Sequence, residues 1–472
     1  MSTTKRDSIF LLSWLSNLAF GKTATDLATL QSEARDSLKD AFTNYSTITN
    51  KLSSFWPTSW GAPVPSWDIT LYSNQGASGT LADNAMYVIQ GQDPDNTGNS
   101  LYVIAVAGTN VNSSYGWFTE DMDVGNVVLW NETGLPSSTC STSSSINPSS
   151  PYISQGTCLG INTSLNDMTN DASQNLTTFL TQQIKADGKD TIEIAVAGHS
   201  LGGAISPALA LALKQFFAQN PVSGKTIKVS AWPTAGPTPG NDVFAGLLAS
   251  NLDEYYSVAN SNDIVPHAWQ ASTTDPNDPF TMDQLCSIYS DLNITTCNIN
   301  INTCNAAGPL SANILVSGLI EYTKSLPAAG MNYTRTSDTD IFQGEADDMC
   351  GSTAPNPNTC ASMIATAATM TALPKVNPIA INLQKIMTAG GGGTVQAADA
   401  LDMLTFLSEA GHQHVTSYLV YFFGDTPDLI TDLQSIAPGL TDAALVEALA
   451  SFYVILSNAA AYLDGKTFAP CS

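Results

Sequence analysis

The stretch Thr191 to Ala212, TIEIAVAGHSLGGAISPALALA, constrains the fold more than any other part of the chain. Ile192, Ile194 and Val196 lie in an apolar run of the kind that makes a parallel strand buried on both faces. The run breaks at Gly198-His199-Ser200-Leu201-Gly202 and passes into an Ala/Leu-rich segment, with no turn residues between except the glycines. This is a nucleophile elbow: a serine on a sharp strand-to-helix turn is pushed out at the sheet edge, and the glycines remove Cβ atoms that would clash there. A bare G-x-S-x-G also arises by chance, so the flanking strand and helix give it its meaning. Ser200 is the candidate nucleophile.

A serine hydroxyl needs an imidazole to take its proton and an acid to hold the imidazole's tautomer. The chain has four histidines. His199 lies inside the elbow beside Ser200 and reads as a packing or supporting group. His267 follows Asp263 too closely in NSNDIVPHAW to be the distal base. His412 and His414, in GHQHVTSYLVYF, remain. Asp263 fits the acid: Glu254 to Ala259 reads as a strand, and the polar turn after it puts a carboxylate just past a strand end. In a serine-acid-histidine chain order, acid and base are expected on loops after later strands at the elbow's edge. Oxyanion donors are expected from the N–H of Leu201 and from Thr109, which follows the buried strand Leu101 to Ala107.

Together these segments resemble the class 3, fungal-type lipases of the α/β-hydrolase fold. GHSLGGA, Gly198 to Ala204, is similar to that family's elbow, and AGTNVNSSYGWFTEDMDV, Ala107 to Val124, to its oxyanion loop and lid. TAGPTPGNDVFA from Thr234 resembles the loop after the next strand, DIVP from Asp263 the acid motif, and HVTSY from His414 the catalytic histidine. The resemblance implies a Ser200-Asp263-His414 triad, an oxyanion hole at Thr109 and Leu201, and a lid carrying Trp117 and Phe118. It implies a serine carboxylic-ester hydrolase, foremost a triacylglycerol lipase working through an acyl-enzyme. A soluble-ester hydrolase (feruloyl or short-chain carboxylesterase) or a phospholipase A1 is the alternative, and a lipase-like lipid-binding protein the non-enzymatic one. Two departures stand out: Ala107 occupies a position where the family often carries arginine, and far more chain separates Asp263 from His414 than a compact member needs.

The expected architecture is α/β, a mostly parallel central sheet with helical additions at both ends and a large helical cap insertion. Residues 1–55 form an N-terminal helical segment packing on the core, 56–270 the core with the nucleophile, oxyanion and acid loops, 271–399 the inserted cap, and 400–472 the completion of the core. The 472 residues carry 16 basic and 41 acidic side chains, a net charge of -25, which disfavours nucleic acid as a partner. Lipid or ester substrate, met at a lipid-water interface, is the expected partner; no metal or organic cofactor is implied, and no transmembrane segment is read from the pattern.

Eight cysteines lie outside the core strands, among them the close pairs Cys140/Cys158, Cys297/Cys304 and Cys350/Cys360, with no pairing assigned. Sequons at Asn44, Asn112, Asn131, Asn162, Asn175, Asn293 and Asn332 point, with the cysteines, to a secreted glycoprotein. Lys5-Arg6 followed by Ile9 to Phe20 reads either as a signal peptide, a pattern that Asp7 and Asn17 spoil, or as a helix that packs on the core.

Overall fold

The computed structural model describes residues 3–53, 65–73, 80–110, 113, 120–131, 140–270, 279–289, 295–296, 299–300, 310–336, 340–346, 364–370, 377–424, 426–437 and 449–469. The chain forms two compact units. The first comprises Met1–Ala259, Ala328–Phe342 and Leu419–Leu440; the second comprises Asn260–Pro327, Gln343–Tyr418 and Thr441–Ser472.

The first unit is built on a central sheet. β1 (Pro65–Tyr72), β2 (Asn84–Gln92) and β3 (Ser100–Val106) pair antiparallel in sequence order. β4 (Val127–Leu129) and β5 (Tyr152–Ser154) form a small antiparallel pair of their own. β6 (Thr191–His199) then pairs parallel with β3, and β7 (Thr226–Thr234) parallel with β6. Beyond β7 come β8 (Glu254–Tyr255), β9 (Val258–Asn260) and β12 (Asp340–Phe342), giving the order β1-β2-β3-β6-β7-β9-β12 with β8 also against β7. The sheet is mostly parallel from β3 onward, as an α/β-hydrolase requires. The single strand expected over Glu254 to Ala259 is two short ones, separated at Tyr256-Ser257.

Helices cover this sheet: α1 (Thr3–Leu15), α2 (Leu27–Asn44), α3 (Ser46–Ser53), α4 (Gln155–Asn162), α5 (Leu176–Ala186), α6 (Leu201–Gln219) and α7 (Asp242–Asn251). Their starts are written locally. Asp26, Asn175 and Asn241 each accept a backbone N–H from the first turn of the helix that follows. α2 turns Leu30, Ala34, Leu38 and Ala41 inward at helical spacing. α6 is long and apolar enough to cross a membrane, yet 78% of it is buried inside the fold, where Leu209, Leu211 and Leu213 join Ile192, Ile194 and Val196 in one core. The N-terminal segment that reads two ways in the sequence is here a buried helix: Ile9, Leu11, Leu12, Trp14 and Leu15 are all at most 1% exposed.

The second unit holds α8 (Leu310–Lys324), α9 (364–370), α10 (Pro378–Ala389) and α11 (Ala397–His414), followed by α12 (Thr416–Phe423), which runs on into the first unit. α13 (Pro427–Ile436) belongs to the first unit and α14 (Leu449–Leu463) to the second, which also has the short pair β10 (Thr295–Thr296) and β11 (Ile299–Asn300). Leu315, Leu383, Ile386, Met403 and Leu456 form its core. Cys140 and Cys158, in the first unit, are joined in a disulfide with their Cα atoms 5.8 Å apart. Cys297, Cys304, Cys350 and Cys360 lie outside the described residues.

Candidate active site

The register of β3 and β6 sets the geometry of the catalytic edge in the first unit. Val106, the last residue of β3, pairs with Gly198 of β6, so the loop from Ala107 and the elbow at Ser200 leave the sheet side by side. Ser200 has φ 61° and ψ -125°, a conformation that costs a non-glycine residue about 1–3 kcal/mol. Its neighbours hold it there. Its N–H donates to Thr234 O on β7 at 3.0 Å, and its carbonyl accepts from Gly203 N at 2.8 Å. A Cβ on Gly198 would lie 2.2 Å from Gly202 O, and one on Gly202 would lie 2.4 Å from Val106 O, so strand and helix meet backbone to backbone. Leu201 opens α6, where the first N–H groups have no partner within the helix.

His199 is buried and turned away from this edge. Its Nδ1 lies 3.0 Å from Thr234 Oγ1, and its ring packs against Trp14 and Phe10 of α1 at centroid distances of 5.3 and 6.3 Å. The loop after β3 is pinned at each residue. Gly108 N donates to Asn17 Oδ1 at 2.8 Å, Thr109 Oγ1 donates to Asp121 Oδ2 at 2.6 Å, and Asn110 Nδ2 donates to Ala82 O at 2.7 Å. With its hydroxyl hydrogen given to Asp121, Thr109 has its backbone N–H left to offer an oxyanion. Trp117 and Phe118 lie outside the described residues.

Glu120, next to Asp121, is wholly buried, and burial pushes its carboxyl well above the usual range, with Asp121 and Asp83 adding to the rise and the hydrogen bond from Asn84 opposing it. Asn84 Nδ2 donates to Glu120 Oε2 at 2.7 Å. Glu120 Oε1 and Asn84 Oδ1 are buried without a hydrogen-bond partner.

Asp263 and His414, the expected acid and base, are both in the second unit. Asp263 is fully buried, and its Oδ2 lies 2.8 Å from His414 Nδ1. The other oxygen, Oδ1, accepts from Val265 N at 3.0 Å. Asn260 organises the acid turn: its Oδ1 accepts from Asn262 N and Gly344 N, and its Nδ2 donates to Gln413 O at 2.9 Å, one residue before His414. Asn260 N also donates to Tyr418 Oη at 2.9 Å. His414 therefore ends α11 rather than sitting on a loop after a strand; the helix brings its last side chain to the turn. Between His412 and His414, the histidine paired with the acid is His414. His267 is tied up elsewhere, its Nδ1 3.0 Å from Thr281 O and its Nε2 3.3 Å from Ser261 O.

The supporting residues Asn17, Asp121 and Asn260 are not legible as such in the sequence. Asp121 lies in the segment that resembles the family's lid, and Asn260 in the acid turn, whereas Asn17 is distant in the chain and carries no local signal. Among the described residues, no group of three or more His, Cys, Asp or Glu side chains could hold a metal ion.

Comparison with known proteins bears on this architecture. The model of the class 3 lipase family matches residues 138–272, the region that carries the elbow and Asp263. No curated protein sequence matches the chain. Among solved structures, the M37 lipase is similar over 92% of this chain and 97% of its own, at 22% identity and a TM-score of 0.55. A Rhizomucor miehei lipase in complex with its propeptide is 15% identical over 57% of this chain and 63% of its own, with a TM-score of 0.31. The Lip2 lipase of Yarrowia lipolytica is 20% identical over 43% and 61%, with a TM-score of 0.27. Residues 138–272 thus carry a match to the class 3 lipase family, and the likeness to the M37 lipase, on a sheet of this topology, shows the α/β-hydrolase fold.

Proposed function

We propose that the protein is a triacylglycerol lipase in which Ser200 forms an acyl-enzyme with the help of His414 and Asp263. The observation that carries this reading is the 2.8 Å contact between His414 Nδ1 and Asp263 Oδ2. An imidazole bonded through Nδ1–H to a carboxylate keeps the tautomer in which Nε2 is unprotonated, which is what a general base needs. Nε2 takes the proton of Ser200 as Oγ attacks the ester carbonyl, then returns it to the departing alkoxide. Water repeats the sequence on the acyl-enzyme, with Nε2 again acting as base. The N–H groups of Leu201 and Thr109 stabilise the oxyanion in both halves, and loss of one such donor would cost on the order of 100 to 1000-fold in turnover.

Long-chain acylglycerols are favoured over soluble esters by the match of residues 138–272 to the lipase family. The Cys140–Cys158 disulfide supports an extracellular site of action.

Hydrolysis of p-nitrophenyl butyrate and of emulsified triolein, with Ser200→Ala as the blank, tests the reading. Activity on both that rises at the emulsion interface and vanishes in the variant is expected. Activity on butyrate alone would make the protein an esterase, and persistence in the variant would overturn the assignment of Ser200.

A further inference from the structure

In the first unit α1 lies along the central sheet and meets it at three points, from the start of the helix to the turn after it. Near its start, Lys5 Nζ contacts Glu193 Oε1 and Oε2 on β6 at 2.8 and 3.0 Å. Near its end, Tyr87 Oη donates to Leu12 O at 2.6 Å, and Trp14 packs on His199. In the turn Ser16–Ala19 that follows, Asn17 is 1% exposed. Its Nδ2 donates to Trp14 O at 2.9 Å and more weakly to Ser13 O at 3.4 Å, while its Oδ1 accepts from Gly108 N at 2.8 Å. Two carbonyls on one side and an N–H on the other fix which way the amide faces.

We propose that Asn17 is a positioning residue for the oxyanion loop: its carbonyl holds Gly108, and through Gly108 it sets the direction of the Thr109 N–H. Gly108 has no side chain to restrict its φ and ψ, so a contact on its N–H is a direct means of holding that backbone. The fit is close. A Cβ at Gly108 would lie 2.9 Å from His199 O and 3.2 Å from Ser200 Cβ, so this backbone rests on the elbow itself. A change of a few tenths of an ångström at Gly108 moves the donor relative to the nucleophile, and oxyanion stabilisation depends on donors aimed at where the charge develops. The turn after the N-terminal helix then supports the catalytic apparatus through its hold on Gly108.

This inference rests on the assignment of Ser200 as nucleophile and Thr109 as donor. Its test is Asn17→Ala, assayed for kcat and KM on p-nitrophenyl butyrate and for the affinity of a trifluoromethyl ketone, which forms a tetrahedral adduct with a catalytic serine. A fall in kcat of about 10 to 100-fold with KM within about threefold is expected, and adduct affinity should fall by the same factor as kcat. An unchanged kcat, or a lower kcat with unchanged adduct affinity, would overturn the proposal. If Asn17→Ala does not fold, the nearly isosteric Asn17→Leu takes its place, and if neither folds the residue is structural and the proposal falls. Ser200→Ala separates the two levels. Activity surviving there refutes the assignment of the nucleophile, whereas an inactive Ser200→Ala beside an unimpaired Asn17→Ala refutes only the role of Asn17.

Discussion

His414 is the last residue of α11, and its Nδ1 lies 2.8 Å from Asp263 Oδ2. In the proposed reaction, Asp263 stabilises the imidazolium that forms when His414 takes the serine proton. The pairing makes the two neighbouring histidines easy to separate. His412→Ala is expected to keep ester hydrolysis within about threefold of wild type, whereas Asp263→Asn, which reverses the tautomer, should lower kcat on the order of 10⁴-fold. Equal losses in His412→Ala and His414→Ala would contradict the assignment. Glu120 invites a different experiment. Its folded pKa is raised by burial, so the unfolded chain loses this proton first as pH rises from the ordinary value of 4.5. The folded state binds more protons over that window, and stability falls with rising pH until the raised folded value is passed. Glu120→Gln, which keeps an amide opposite Asn84, should remove that part of the decline. Denaturation midpoints of both proteins at pH 5 and pH 8 measure it, and a wild-type decline no steeper than the variant's would contradict a neutral Glu120.

The elements that place the catalytic edge divide into those legible in the sequence and one that is not. β6 and α6 announce themselves because an apolar run, a glycine pair and a helix are contiguous, and local pattern determines the turn. The acid turn is legible for the same reason. α11 is harder: His414 ends a helix, so the expectation of a loop after a strand misjudges its element. α1 is hardest, since its partners Glu193 and Gly108 lie 188 and 91 positions away from Lys5 and Asn17. The two residues that spoil a leader-like pattern there are the ones with structural work. Asp7 contacts Arg6 at 3.0 Å and Lys51 at 3.1 Å, and Asn17 holds Gly108. Lys5 is a buried cation between Glu193 and Asp93, at 2.8 and 3.5 Å. Burial alone would lower its pKa, yet the carboxylates outweigh burial and the net shift is upward, which keeps the ammonium charged. Lys5→Met leaves two carboxylates buried without their cation and should cost about 3–5 kcal/mol. A Glu193→Gln change added to it should recover part of the loss. A single variant as stable as wild type to denaturant would show that the pair contributes nothing.

At the scale of the molecule, the sequence makes the class of fold legible because five motifs occur in the order that one sheet topology demands. The lid expected at Trp117-Phe118 rests on resemblance alone, because no local periodicity marks it, and those residues lie outside the described ones. The net charge of -25 bears on association and not on fold. An acidic surface gains nothing from anionic headgroups, so any adsorption to lipid must come from exposed apolar area. The central claim is that Ser200 is an activated nucleophile served by His414. Labelling with a fluorophosphonate, followed by peptide mapping, tests it most directly. The expected result is one adduct on Ser200 in the wild type, none in Ser200→Ala, and labelling slowed by at least about 100-fold in His414→Ala. Labelling of another serine, or a rate unchanged in His414→Ala, would contradict it.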